Sequence, residues 1–152
     1  AGVVCGRLLW IRGHAVMHPG PCRDWNQRAI EQAVKAIGLV LQAGNFGLVV
    51  LDLGEVPAEG ARRLPHTTWL RLQRMVDGSQ TIGLLVGNDP LARSAAGVTI
   101  RLQPAGAEPR RSGRFGARLF EGLDLELQVS RARVHRHDSV GLPLTTMAAR
   151  HV

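Results

Sequence analysis

The sequence predicts an α/β fold: a layered sandwich with a mostly parallel central sheet, helices on its faces and an antiparallel hairpin at its C-terminal end. Residues 48–53 form a nearly continuous aliphatic run, which is typical of a strand buried on both faces of a parallel sheet. Segments with helical periodicity stand before and after this run, at residues 24–43 and 66–77. Residues 123–134 alternate between apolar and polar side chains, as a half-exposed antiparallel strand does.

Length and composition indicate one globular domain of ordinary size. The chain has 152 residues, of which 45% are hydrophobic and 20% are charged, and this balance is not that of a disordered chain. We predict one domain over residues 1–134 and a flexible tail over residues 135–152, where the pattern is mixed and interrupted by proline. No signal peptide and no membrane-spanning apolar run stands out, so the sequence predicts a cytoplasmic protein without a membrane contact.

The first predicted elements are a strand and a helix. Apolar side chains in residues 1–12 predict a strand that ends at Gly13, and this abrupt apolar start predicts further natural sequence before the first residue. Asp24 is the predicted N-cap of the helix because Gln27 stands three residues later, at the spacing of a capping box. Gly44 is the predicted residue just past its C-terminus. One apolar stripe follows the helical period: Ile30, Ala33, Val34, Ile37, Val40 and Leu41.

The aliphatic run that comes next is the predicted central strand, and its last acid is the first candidate for a site. Asp52 lies at the carboxyl end of this strand, and α/β proteins bind ligands at that end of their strands. The elements predicted to follow are a loop (54–65), a helix (66–77), a strand (81–86), a short connection (91–96) and a strand (98–102).

The C-terminal part predicts a loop and antiparallel strands. Residues 104–113 are rich in proline, glycine and arginine and predict a loop, and residues 114–120 predict a strand. The alternating residues 123–134 predict a strand near the edge of the sheet, because one of its faces is polar.

Six segments of the chain carry, in the same order, a resemblance to a known protein family. They are residues 7–12, the helix from Asp24, Leu48-Val49-Val50-Leu51-Asp52, Trp69-Leu70-Arg71-Leu72-Gln73-Arg74, Thr81-Ile82-Gly83-Leu84-Leu85-Val86 and Val98-Thr99-Ile100-Arg101-Leu102. They resemble the later half of the recombinase core of the RecA family. The closer resemblance is to the RecA-like ImuA/SulA group, which comprises bacterial proteins of the DNA-damage response.

The resemblance implies a RecA-like fold and two nucleotide-related positions. Asp52 stands where that family has its Walker B acid, and Asn88 stands where the family ends its next strand in a phosphate-sensing residue. The chain departs from the family at the P-loop, because it contains no G-x-x-x-x-G-K-[ST] motif and its single lysine, Lys35, lies in the middle of a predicted helix. The resemblance therefore implies the scaffold without an ATPase, a cofactor or a catalytic residue.

The function implied by the resemblance is that of a non-catalytic adaptor in the bacterial DNA-damage response, in SOS-type translesion synthesis and induced mutagenesis. The implied partners are an ImuB-like polymerase-family protein, RecA and an error-prone polymerase, with DNA contacts and self-association as further expectations. Two alternatives stay open. One is a SulA-like inhibitor of cell division, and the other is a RecA-like nucleotide hydrolase whose P-loop lies upstream of this chain.

Charge provides candidate contact residues. The formal net charge is +7, and nearly all basic residues are arginines, whose planar guanidinium suits phosphate recognition. A solvated basic face is the alternative interpretation of the same charge. The predicted DNA or partner contacts are Arg62, Arg63, Arg71, Arg74, Arg110, Arg111, Arg114 and Arg118.

One constellation could hold a metal ion. Cys5, His14, His18 and Cys22 include an H-x-x-x-H-x-x-x-C spacing, and zinc takes four ligands of these types. The spacing fits no common zinc finger, and the alternative is a pair of loop histidines with buried cysteines.

Overall fold

A computed structural model describes residues 4–13, 23–106, 110–112, 119–133 and 141–147. The chain divides into two compact units, an N-terminal unit over Cys5–Ala96 and a C-terminal unit from Gly97 onward. These bounds differ from the single domain predicted over residues 1–134. The observed class is mixed α/β, with a parallel sheet in the N-terminal unit and antiparallel sheets in the C-terminal unit.

Two long helices and one short helix form the N-terminal unit together with two strands. Their bounds are α1 (Arg23–Ala43), β1 (Leu48–Asp52), α2 (Ala58–Arg62), α3 (His66–Val76) and β2 (Ile82–Val86). Gly44 follows α1 with a φ of +68°, a left-handed conformation that favours glycine. The sequence therefore predicted the end of α1 correctly. Its start lies at Arg23, one residue ahead of the predicted cap at Asp24.

The parallel pair of β1 and β2 is held by a continuous backbone ladder. Residues Leu48 to Asp52 pair in register with Ile82 to Val86. The ladder continues past the strands, because the N–H of Leu53 donates to the carbonyl of Val86 over 2.9 Å. At the other end, the Thr81 hydroxyl donates to the carbonyl of Phe46 over 2.7 Å. The two strands and the loops at both ends are thereby fixed relative to each other.

The core of this unit lies on one side of the parallel sheet. Val49 and Leu51 point into it, and α1 and α3 supply Ile30 and Trp69, which are only 2% and 5% exposed. The predicted apolar stripe of α1 is confirmed, since all its members are buried or packed against the core. The core cluster consists of Ile30, Val34, Leu41, Val49, Leu51, Leu53, Ala61, Leu64, Trp69, Leu72 and Ala95.

Three predictions for the N-terminal unit were wrong. β1 was expected to be buried on both faces, but Leu48 and Val50 are exposed, because helices cover only one face of the described sheet. A strand was expected at the start of the chain, but a 3₁₀ turn occupies Cys5–Arg7, and residues 8–13 form no strand. Apolar composition alone does not make a strand where no neighbouring strand pairs with it. Within the predicted loop 54–65, Ala58–Arg62 forms α2.

The C-terminal unit consists of two antiparallel sheets. The larger has the order β3–β6–β7, formed by β3 (Val98–Pro104), β6 (Asp124–Ala132) and β7 (Gly141–Thr145). The smaller pairs β4 (Arg110–Ser112) with β5 (Leu119–Gly122). In the larger sheet most of the aliphatic side chains lie on one face, because the register aligns them across the strands. They are Ile100, Leu102, Leu125, Leu127, Val129, Leu142 and Leu144.

This unit corrects two further expectations. β6 is the middle strand and not an edge strand, since β3 pairs with one side of it and β7 with the other. The flexible tail predicted over residues 135–152 contains the strand β7. Leu142 and Leu144 alternate with other residues as in a strand, but Pro143 between them argued against a strand in the sequence. Proline is tolerated in a strand at the edge of a sheet, which is the place of β7. The loop predicted over residues 104–113 includes the short strand β4.

We predict that the core depends on Ile30 far more than on an exposed aliphatic residue of the same helix. Ile30→Ala removes a buried side chain and leaves a cavity, so the free energy of unfolding should fall by about 2–5 kcal/mol. Leu39 is 68% exposed, and Leu39→Ala should change it by less than about 0.5 kcal/mol. Urea denaturation of both variants measures the difference, and equal losses would contradict the packing of α1 described above.

Candidate functional site

The carboxyl ends of β1 and β2 lie side by side at one edge of the parallel sheet. Asp52 pairs with Val86 in the register, and each strand then runs into a loop. The loop after β1 leads to α2, and the loop after β2 leads to a 3₁₀ turn at Arg93–Ala95. Because ligand sites of parallel sheets occur at this edge, a ligand site is expected at these two loops.

Asp52 uses its carboxylate to hold the turn that follows it. Its Oδ1 accepts a hydrogen bond from the backbone N–H of Gly54 over 2.8 Å. This is the local side-chain-to-backbone bond with which aspartate commonly starts a turn. The side chain is otherwise exposed, and the predicted Walker B position thus acts structurally as a turn cap.

Asn88 joins the two loops. Its Nδ2 donates to the carbonyl of Gly54 over 2.8 Å, across 34 positions of sequence. Asp52 and Asn88 therefore bind the same glycine from opposite sides, one at its N–H and one at its carbonyl. The two residues that the family resemblance singled out do lie together, and their mutual contact is through the backbone of Gly54.

Arg62 and Asp89 form the third link across this edge. A nitrogen of the Arg62 guanidinium lies 2.8 Å from Oδ2 of Asp89. The arginine is 59% exposed and the aspartate 32%, so water screens the pair and its contribution to stability is small. Its structural effect is to connect the end of α2 to the loop after β2.

Two concave spaces adjoin these loops. The first is a small cavity of about 10 Å³ between Leu53, Val56 and Leu91, which is at the lower limit for a single water molecule. The second is an open groove of about 560 Å³ between α2, α3 and the loop after β2. Its lining residues are Ala61, Arg62, Leu64, His66, Trp69, Asp89, Pro90, Leu91 and Arg93. Only the groove is large enough to admit a ligand.

Arg93 is a groove residue that sequence reasoning missed. It is isolated from other arginines along the chain, and the predicted contacts were chosen from sequence clusters. The fold brings it to the same groove as Arg62, which stands 31 positions earlier in the sequence. Its φ of +47° is the one left-handed value recorded for a non-glycine residue in the described part of the chain. No feature of the sequence around residue 93 signals this conformation.

The other predicted arginines are divided between the two units. Arg63, Arg71 and Arg74 are exposed in the N-terminal unit, the last two one turn apart on α3. Arg110 and Arg111 lie on β4 in the C-terminal unit. Arg114 and Arg118 lie outside the described residues.

The candidate metal set is not assembled in the described part of the chain. Cys5 is an exposed cysteine in the 3₁₀ turn, whereas His14, His18 and Cys22 lie outside the described residues. Within the described ranges, no three histidine, cysteine, aspartate or glutamate side chains come close enough to hold a metal ion.

One face of the parallel sheet is apolar and uncovered. The side chains of β1 and β2 that point away from α1 and α3 share this face because their register aligns them. They are between 41% and 67% exposed. We call this surface the outer face, and its aliphatic members are Leu48, Val50, Ile82, Leu84 and Val86, with Asp52 beside Val86 at one end. A contiguous aliphatic surface of this kind is characteristic of a site of protein association.

Comparisons with known proteins found no relative: no protein-family model, no curated protein and no solved structure matches this chain. Among the helices of the described residues, none combines the length and the apolar character that crossing a membrane requires.

We predict that Asp52 stabilises the fold through an oxygen acceptor and not through its charge. Asp52→Ala removes the bond to Gly54 and should lower the free energy of unfolding by about 1 kcal/mol. Asp52→Asn keeps a side-chain oxygen at the same place, so its loss should stay below about 0.5 kcal/mol. Denaturant unfolding of both variants provides the test, and equal losses would show that the negative charge itself is needed.

Proposed function

We propose that this chain is a non-catalytic, RecA-like accessory protein of the bacterial DNA-damage response, and that it works by binding another protein. The observation that carries the proposal is the outer face, where five aliphatic side chains in register stand in solvent. Burial of such a surface against a partner is favourable by roughly 25 cal/mol for each Å² removed from water. The DNA backbone is charged and offers no apolar surface, so this face is better suited to bind a protein than DNA.

The strand-end edge supports a non-catalytic role. Asn88 binds the backbone of the loop after β1, Asp89 binds Arg62 at the end of α2, and Asp52 binds the turn that follows its own strand. The sequence has no P-loop lysine to hold a triphosphate. In this proposal, the edge that binds nucleotide in RecA-like enzymes serves only to hold the fold together in this chain.

We infer that β1 and β2 are strands of a RecA-like layered sandwich. Their parallel pairing, the helices that precede and separate them and the aliphatic composition of both strands support this assignment. The family resemblance supplies the partner: an ImuB-like polymerase-family protein, with RecA and an error-prone polymerase in the same response. The outer face is the proposed contact to the ImuB-like protein.

We predict that a charge on the outer face strongly lowers the affinity of this association. Leu84→Asp places a carboxylate at the centre of the buried surface, and the affinity for the ImuB-like protein should fall at least about tenfold. Leu84→Thr keeps a residue that favours strands and adds no charge, so it should lower the affinity by a smaller factor than Leu84→Asp. Isothermal titration calorimetry with the purified ImuB-like protein measures both effects.

The matched control is Leu39→Asp, which introduces the same charge at an exposed leucine of α1. It should leave the affinity within about twofold of the wild type. Thermal unfolding of each variant separates loss of binding from loss of fold. The absence of any binding by the wild-type chain at low salt would contradict the proposal, and filamentous cells on overproduction would favour a SulA-like division inhibitor instead.

A further inference from the structure

The groove beside α3 combines an apolar floor with a positively charged rim. Pro90 and Leu91 provide the accessible part of this floor, Leu64 and Trp69 are its buried part, and Arg62 and Arg93 are exposed at the rim. Its volume of about 560 Å³ is within the range of roughly 300–1,000 Å³ that is typical of ligand sites. A ligand that matches it must therefore offer an apolar side chain and a negative charge close together.

The two rim arginines differ in their surroundings. Arg62 already binds the Asp89 carboxylate, which fixes its guanidinium and compensates its charge. For Arg93, the described part of the chain provides no carboxylate within ion-pair distance. Arg93 is therefore the cation of this groove that is available to a negatively charged group from outside.

The backbone at Arg93 is held in an unfavourable conformation. A φ of +47° costs an L-residue with a side chain roughly 1–2 kcal/mol, and glycine would avoid this cost. The turn that contains Arg93 is closed by a hydrogen bond from the N–H of Ala95 to the carbonyl of Ala92 over 2.9 Å, and Ala95 is buried. Strain of this kind clusters at binding sites, where the surroundings hold a side chain in place for a ligand.

We propose that this groove binds an acidic segment of a partner protein, with a carboxylate at Arg93 and an adjacent aliphatic side chain on the apolar floor. Nucleic acid fits less well for two reasons. The Trp69 ring is 5% exposed and offers no surface on which a base could stack. A phosphate group also offers no apolar surface to the exposed Pro90 and the half-buried Leu91 of the lining. The net charge of +7 favours the approach of an acidic partner.

This inference rests on the proposed adaptor function, since it adds a second contact to the partner besides the outer face. The probe is a short fluorescein-labelled peptide of alternating leucine and glutamate with an amidated C-terminus, measured by fluorescence anisotropy on the full chain. A version with a free C-terminal carboxylate tests whether side-chain or terminal carboxylates are preferred. A version with glutamine in place of glutamate removes the charge and should bind at least about tenfold more weakly.

The informative variants change Arg93. Arg93→Gln should weaken binding of the glutamate peptide about tenfold, because a charge-assisted hydrogen bond is lost. Arg93→Gly should lose as much affinity while its thermal stability stays equal or rises, because glycine tolerates the positive φ. The matched control is Arg74→Gln, which removes one exposed arginine outside the groove lining and should change the affinity less than about twofold.

Several outcomes would overturn the inference. Equal losses in Arg93→Gln and Arg74→Gln would mean that only the overall charge attracts the peptide. The inference would also be overturned if the wild type did not bind the peptide, or if it bound the glutamine version as tightly as the glutamate version. A loss of oligo-dT affinity specific to Arg93→Gln, with peptide binding unchanged, would assign the groove to nucleic acid.

The two proposals can fail separately. If the peptide binds at Arg93 but the ImuB-like protein does not bind the wild type, the adaptor function is wrong, and the inference that the groove binds an acidic segment is still supported. If the ImuB-like protein binds Arg93→Gln as tightly as the wild type and loses affinity for Leu84→Asp, the groove inference is wrong and the adaptor function stands.

Discussion

The parallel ladder between β1 and β2 is the interaction on which the N-terminal unit depends. It aligns the carboxyl ends of the two strands, so that Asp52 and Asn88 meet at the backbone of Gly54. It also sends alternate side chains to opposite faces of the sheet. One set enters the core beneath α1 and α3, and the other forms the outer face. The position of the loops, the core and the exposed surface thus follow from one pairing register.

The polar groups at the strand ends form bonds within the protein, whereas the outer face and the groove are exposed to solvent. Asn88 ties the two loops together, Asp52 holds the turn after β1, and the Arg62–Asp89 pair joins α2 to the loop after β2, each over 2.8 Å. Binding capacity remains elsewhere: in the aliphatic outer face, and in the groove where Arg93 is held at a positive φ. The proposed adaptor function rests on this difference between strand-end polar groups that are engaged internally and an aliphatic surface that is exposed.

The C-terminal unit follows the same alternation with antiparallel strands. Its register gathers the aliphatic residues of β3, β6 and β7 on one face and places Arg101, Gln103 and Glu126 on the other. The strand β7 contributes to this face in spite of Pro143, because an edge strand can accommodate a residue without a backbone N–H. Each unit therefore has a sheet with an apolar face, which is parallel in the N-terminal unit and antiparallel in the larger sheet of the C-terminal unit.

Local patterns in the sequence determined the helices α1 and α3, the strands β1 and β2 and the glycine that ends α1, because helical period, aliphatic runs and a left-handed glycine are properties of neighbouring residues. The acid at the end of β1 was identified in the same way. Only the tertiary structure decided which face of β1 is covered, that β6 is a middle strand, and that Arg62 and Arg93 share a groove. These features depend on pairing and packing between distant segments, such as the 27 positions between Arg62 and Asp89. Periodicity shows which side chains share a face, but what covers that face depends on the elements that the rest of the chain brings to it.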